Sequence, residues 1–227
     1  MKILGVSLGT KNGNNDTMCR VALEAAKAKG AEIEFIHLLD WDIQYCSGCV
    51  ACSRGLVMGK GMICSRQDDF KAFYEKVVEA DGVLFVDPIF ESGATGLYHS
   101  ITDRMGPGHD TGMMKMLDGK LKEAGKEGLN PRYFRQKALS FVGIGGSDWA
   151  VRCETDHAMF ALSPGWKVVN NEFFSWCKDV IMQDDKVERM KEIGRNLADA
   201  AQQIIDEDMQ IEGSEKTSLW KGKEGAC

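Results

Sequence analysis

Lys2-Ile3-Leu4-Gly5-Val6-Ser7, followed by Leu8-Gly9-Thr10-Lys11-Asn12-Gly13-Asn14-Asn15-Asp16-Thr17, decides the fold. The first six residues are too few for a helix and almost continuously apolar, the pattern of a strand covered on both faces. A loop of Gly, Asn, Thr and Lys then leads into Asp16 to Lys29, where Met18, Val21, Ala22 and Ala25 recur at helical spacing. Further along, Glu32 to Leu39 reads as a second strand, Phe70 to Ala80 as a helix with Phe70, Phe73 and Val77 on one face, and Gly82 to Val86 as a third strand ended by Asp87-Pro88. Tyr98 to Met105 continues as a helix, Lys137 to Ile144 and Trp166 to Phe174 as the fourth and fifth strands, and Asp184 to Ile205 as an amphipathic closing helix. Strands alternating with helices require right-handed crossovers and a parallel sheet. The expected fold is a doubly wound α/β domain over residues 1–205, with five parallel strands in the order 2-1-3-4-5 and ligands beyond the carboxyl ends of the strands.

The 227 residues suit one large domain, and 44% hydrophobic with 27% charged residues excludes a disordered or collagen-like chain. The net charge of −6 and the lack of a Lys/Arg cluster leave no electrostatic footprint for nucleic acid. No apolar run approaches a membrane span or a signal-peptide core, so the expected location is the cytoplasm. There the eight cysteines point to a metal site or reactive thiols rather than to disulfides. Two stretches exceed the minimal design: a Gly- and Met-containing insertion at 106–136 and a charged tail at 206–227.

The loop after the first strand has neither the G-x-G-x-x-G nor the Walker spacing, which disfavours a dinucleotide or a triphosphate. Its glycines allow close approach, its Ser, Thr and Asn supply neutral donors, and the following helix offers free N–H groups to an anion. A terminal monophosphate suits it; a plain helix-capping turn is the alternative. Between residues 45 and 65 lies Cys46-Ser-Gly-Cys49-Val-Ala-Cys52 and, after eleven residues, Cys64. Three thiols two residues apart can wrap one inorganic core, which favours a [4Fe-4S] cluster over tetrahedral zinc, with unliganded thiols the third possibility. Gly55, Gly59 and Gly61 give the eleven-residue gap the freedom to close. Cys19, Cys153, Cys177 and Cys227 have no companions at ligand spacing.

A strand ending in Ser, then Lys11-Asn12-Gly13-Asn14, the cysteine segment, Asp68-Asp69, Glu79-Ala80-Asp81-Gly82, Pro88 and Asp103-Arg104 together resemble the NADPH-dependent FMN reductase family, and within it the iron-sulfur flavoproteins. The resemblance covers about residues 1 to 106 well and 137 to 205 by element order. It implies a flavodoxin-like fold, noncovalent FMN, a homodimer or homotetramer, and electron transfer from NAD(P)H or a ferredoxin-like redox protein to a small organic acceptor. An electron carrier with no small-molecule substrate is the alternative. Carried onto this chain, it places the phosphate at Ser7, Thr10, Asn12, Asn14, Asn15 and Thr17, and the isoalloxazine at Pro88, Ile89, Phe90, Glu91, Ser92 and Gly93. Gly145, Gly146 and Ser147, after the fourth strand, would complete the site. Leu8-Gly9-Thr10 stands where the family has Ser-Pro-Arg, and Pro88-Ile89-Phe90 replaces Pro-x-Tyr. Ser7 lies one place before the family's serine, and the gap before Cys64 is longer than usual.

Four histidines are present. His99 faces either the flavin or a subunit boundary, or is simply a packed or solvated helical residue. His109, with Met113, Met114 and Met116, forms either an adaptable wall over a flavin or ordinary helix packing. No Ser/His/Asp or paired-carboxylate arrangement stands out, so the redox chemistry would belong to cofactors.

Overall fold

The computed structural model describes residues 1–58, 64–106, 110–146, 151–162, 164–176 and 178–211. Five strands form one sheet: β1 (Lys2–Ser7), β2 (Glu32–His37), β3 (Gly82–Pro88), β4 (Ala138–Ile144) and β5 (Lys167–Phe174). Every pairing is parallel and the order is β2-β1-β3-β4-β5, as the alternation of strands and helices predicts. The helices are α1 (Asn14–Ala28), α2 (Ala51–Val57), α3 (Phe70–Glu79), α4 (Gly96–Met105), α5 (Thr111–Glu123), α6 (Val151–Leu162) and α7 (Asp184–Asp206).

Side chains alternate across the central strands, so two cores form. Leu4, Val6, Val83, Phe85, Leu139 and Phe141 pack with Phe73, Val77, Tyr98, Ile101 and Phe160, from α3, α4 and α6. On the other face Ile3, Leu84, Val86 and Val142 meet Met18, Leu23, Met190, Ile193 and Leu197, from α1 and α7. Burying each such side chain contributes about 1.5–3 kcal/mol, which is why the three inner strands read as unbroken apolar runs. The approach of α7 to α1 is closest at Gly194, where an added Cβ would sit 2.1 Å from the Ala22 carbonyl oxygen; only glycine fits there.

The cysteine segment and the insertion fold against each other. Leu56 of α2 packs with Met114, Leu117 and Leu121 of α5 in a third, smaller cluster, with Met113 against it. The methionines of the insertion therefore serve helix packing, and Met116 is exposed. His109 lies outside the described residues. The sequence reading gives no separate helix at 51–57, 111–123 or 151–162; α2 and α5 are the local folding that a long connection requires. Among the described residues no helix is long and apolar enough to cross a membrane.

Candidate functional site

The carboxyl ends of β1, β3 and β4 bring three turns to one edge of the sheet. The first is the turn between β1 and α1. It leaves the strand at Ser7, where Leu8 N–H still donates to Val86 O (3.0 Å). Gly9 is forced by proximity: a Cβ there would lie 2.6 Å from both Cγ and Oδ1 of Asn15. Asn12 takes a left-handed φ of 58°, and its N–H donates to Asp16 Oδ2 (2.7 Å).

Asp16 is the centre of this turn. Its Oδ1 accepts the Ser7 hydroxyl (2.5 Å) and faces His37 Nδ1 (2.9 Å), so the ends of β1 and β2 and the first turn of α1 converge on one buried carboxylate. Burial alone would raise the Asp16 pKa. The bonds from Ser7 and His37, the Asn12 N–H and the His37 charge outweigh it and hold the carboxyl below its ordinary range.

Ser7 is fully buried with its hydroxyl committed to Asp16, so it shapes the turn from beneath. Thr17 turns its hydroxyl back to Gly13 O (3.0 Å), and Asn14 Oδ1 accepts Val180 N–H (3.3 Å) from the segment after β5. Thr10 and Asn12 are exposed at the rim. Asn15 is 6% exposed, yet its Nδ2 has no hydrogen-bond partner among the described residues. A buried amide donor left over, beside a glycine pressed against it and the first turn of a 15-residue helix capped by no side chain, matches the donor set a phosphate monoester needs.

The second turn follows β3. Phe90 and Gly93 exchange backbone bonds (3.3 and 3.1 Å), and Glu91 and Ser92 between them have φ of 49° and 66°. Two successive left-handed residues make a type I′ turn without glycine at either central position, a conformation that persists only where its surroundings fix it. The surroundings are the N-terminus of α6: Ser92 O accepts the N–H groups of Arg152 and Cys153 (3.1 Å each), and Ala94 N–H donates to Asp156 Oδ2 (3.2 Å). Pro88 and Ile89 are half-buried and Phe90 is 66% exposed, so the turn presents an aromatic ring to the open end of the sheet. Beneath it, fully buried Asp87 accepts Thr95 N–H (2.9 Å) and Oγ1–H (2.7 Å) and faces His157 Nε2 at 3.4 Å. The Thr95 hydroxyl oxygen caps α4 through Tyr98 N–H (3.1 Å).

The third turn follows β4. Gly145 N–H is taken up by Phe174 O (3.0 Å), so Gly145 extends the β4–β5 ladder, while Gly146 is exposed with open space around it. Gly143 and Gly145 let Ile89 pack: a Cβ at either would lie 2.7 and 3.4 Å from it. Ser147 and Trp149 lie outside the described residues.

The cysteines are arranged differently. Cys46 and Cys49 are exposed and Cys52 and Cys64 half-buried. Cys64 Sγ accepts from Arg104 Nη2 (3.1 Å), Cys52 Sγ lies 3.9 Å from a Cβ placed on Gly106, and Cys49 Sγ contacts the Ser65 hydroxyl (3.1 Å). The Ser65 bond and the Ala51 N–H lower the Cys49 pKa to about 7. Among the described residues no three Cys, His, Asp or Glu side chains stand close enough to hold a metal ion, so the four thiols do not form a cluster cage in this arrangement.

One residue ties the segment to the domain. Arg104, at the end of α4, pairs with buried Asp68 and donates to Gln44 O (2.9 Å) as well as Cys64, while its guanidinium lies 4.2 Å from the Phe70 ring centroid. The Arg104 bonds hold the Asp68 carboxyl at about pKa 2.

The model of the family described as NADPH-dependent FMN reductase matches residues 1–179, which span β1 through the segment after β5. The chain belongs to the NADPH-dependent FMN reductase family. An iron-sulfur flavoprotein of Archaeoglobus fulgidus is 29% identical over 66% of the chain and 64% of its own length. A flavone synthase of Aspergillus candidus is 28% identical over 89% of the chain and 65% of its own length. A solved structure of a flavone reductase is 42% identical, with a TM-score of 0.79, over 94% of this chain and 67% of that one. The chain thus spans less than two-thirds of the length of these two curated relatives.

Within this member of the FMN reductase family, sequence reasoning missed Asp16, His37, Asp87 and His157. Asp16 carries a sequence signal, since an acidic residue in the first turn of a helix is a known stabiliser of helix N-termini. The histidines gave none, because each meets its carboxylate only through the sheet.

Proposed function

We propose that this protein is an FMN-dependent oxidoreductase that passes electrons from a reduced donor such as NAD(P)H to a small conjugated ketone of the flavone type. The observation that carries the cofactor is the turn after β1, where Gly9, the unpaired Asn15 amide and the first turn of α1 supply the donors for one phosphate. The type I′ turn at 90–93, with Phe90 outward, would border the isoalloxazine, and Asp16 and Asp87 hold the two turns from below. FMN, when bound, supplies the exchange of a hydride equivalent; the chain supplies position and electrostatics.

The acceptor class rests on two relatives that together cover most of the chain, one named for reducing a flavone and one for making it. A flavone contains a carbon–carbon double bond conjugated to a carbonyl, the bond a flavin hydride reduces. The test is anaerobic turnover of FMN-loaded protein with NADH or NADPH and a flavone, followed by loss of the flavone absorption band. Reduction to the saturated ketone supports the assignment; reoxidation of the flavin by quinones alone overturns the acceptor, and failure to retain FMN overturns the cofactor.

The cysteine segment favours a second reading, an electron carrier with a [4Fe-4S] cluster, supported by the C-x2-C-x2-C-x11-C spacing and by the iron-sulfur name of the archaeal relative. The segment would have to close for the four thiols to reach one cluster. Iron and labile sulfide in anaerobically purified protein, with rapid reduction by a ferredoxin and no flavone turnover, would favour it.

A further inference from the structure

A cavity of about 310 Å³ opens between α4 and α6, lined by Tyr98, His99 and Thr102 on one side and Asp156, Met159 and Phe160 on the other. Its size falls at the lower end of small-ligand pockets. Its lining is mixed: the Tyr98 and Phe160 rings and the Met159 thioether give an apolar surface on which a flat ring can lie, beside Thr102 and the carboxylates of Asp103 and Asp156. The cavity and the 90–93 turn share one residue. Asp156 Oδ2 accepts Ala94 N–H (3.2 Å), lies 3.3 Å from a Cβ placed on Gly93, and stands 3.7 Å from His99 Nε2. The carboxylate that fixes the turn therefore also faces the imidazole in the cavity wall.

We propose that this cavity takes the aryl ketone of a flavone-type acceptor, with His99 as the acid that protonates the carbon next to its carbonyl. The inference rests on the acceptor class proposed above. Reduction of the conjugated double bond needs two electrons and two hydrogens. FMN, when bound and reduced, would supply the hydride equivalent for the C–H bond at the carbon β to the carbonyl and would itself be left oxidised, while the π pair moves to the α carbon. There His99 gives the proton of the second C–H bond and regains it from water.

The other acids of the cavity, Tyr98, Asp103 and Asp156, are less suited to this step, and Asp103 is exposed to solvent. The Tyr98 hydroxyl donates weakly to the backbone carbonyls of Asp156 and His157 (3.4 and 3.5 Å), and burial pushes its pKa well above the ordinary phenol value. Asp156 already accepts from Ala94 N–H. The His99 side chain is 41% exposed, which gives the imidazole access to water for reloading.

Two variants of the FMN-loaded protein test this. His99→Gln should leave FMN retention, the rate of flavin reduction by NAD(P)H and quinone reduction within about twofold, because a quinone is protonated on oxygen by water. Flavone reduction should fall by about 10²-fold or more, the typical worth of a placed acid. In D2O the wild type should place deuterium on one face of the α carbon, and the variant on both. Met159→Trp should fill the cavity and abolish flavone binding measured by equilibrium dialysis, with FMN content unchanged. Flavone reduction by His99→Gln within threefold of wild type overturns the role of His99, and undiminished flavone binding by Met159→Trp overturns the cavity. A wild type that binds flavone in a Met159→Trp-sensitive way without reducing it removes the proposed acceptor chemistry and keeps the binding site. A wild type that binds no flavone overturns the inference outright.

Discussion

Asp16→Asn changes one atom and should damage both folding and cofactor binding. Asp16 uses both oxygens as acceptors, Oδ1 toward Ser7 and His37 and Oδ2 toward the Asn12 N–H. An asparagine has one acceptor oxygen and one NH2: turned toward the Asn12 N–H, the NH2 sets a donor against a donor, and turned toward Ser7 and His37 it requires the hydroxyl to reverse and His37 to present an unprotonated Nδ1. Losing one hydrogen bond to a buried ionised group costs about 1.5–3 kcal/mol, and removing the negative charge next to His37 adds to it. We therefore expect the flavin-free variant to lose about 2–4 kcal/mol in urea denaturation at pH 7. Asn12 is held in a left-handed conformation by this bond; once released, it must be ordered again when the phosphate binds. A re-ordering cost near 1.4 kcal/mol weakens FMN about tenfold.

The pH dependence has a definite sign. The Asp16 carboxyl is held below its ordinary value of 3.8, so its contribution is fully present above that value and disappears as the pH falls through the lower folded-state value. The difference between wild type and Asp16→Asn should therefore shrink on acidification. A variant within about 0.5 kcal/mol of wild type at pH 7, with FMN affinity unchanged within about twofold, would refute this account of the turn.

Two other perturbations probe the supports of the site. Gly194→Ala places a methyl 2.1 Å from the Ala22 carbonyl oxygen, a backbone atom that cannot swing aside, so α7 must shift; a loss of about 3 kcal/mol in chemical denaturation is expected, with a drop in FMN retention because α1 follows directly on the turn proposed to hold the phosphate. Arg104→Met leaves the Asp68 carboxylate only the Gln44 and Phe70 N–H groups and should cost about 2–3 kcal/mol at pH 7. Because the Asp68 pKa is held near 2, that deficit should be complete above about pH 4 and close as the pH falls toward 2, which a denaturation series across pH will show.

The sheet was legible because each inner strand is buried on both faces and so carries a compact apolar run. Helix ends were less so. α1 begins at Asn14 rather than Asp16, because Asn14 and Asn15 extend the helix without any apolar residue to mark its start. β3 runs on to Pro88, since proline at the end of a strand forfeits no needed bond. Helix α6 has His157 and Cys153 on its buried side, and this muted the apolar periodicity that would have revealed it. In the candidate site, the glycines and amides of the turn after β1 were legible as possible anion donors, because loop chemistry is local. The charged groups beneath the turns stayed hidden: Asp16 with His37 and Asp87 with His157 are pairs separated by 21 and 70 residues. Such pairs are decided by which strand lies beside which.

The hydrogen bond from Val180 to Asn14, together with the close crossing of α7 over α1, bears on the order of synthesis. The turn after β1 is synthesised well before the groups that brace it, which follow up to 166 residues later in the chain. A nascent chain halted before α7 would expose the apolar side of α1 and of the sheet. Cofactor uptake should thus await the synthesis of α7 rather than accompany the growth of the sheet.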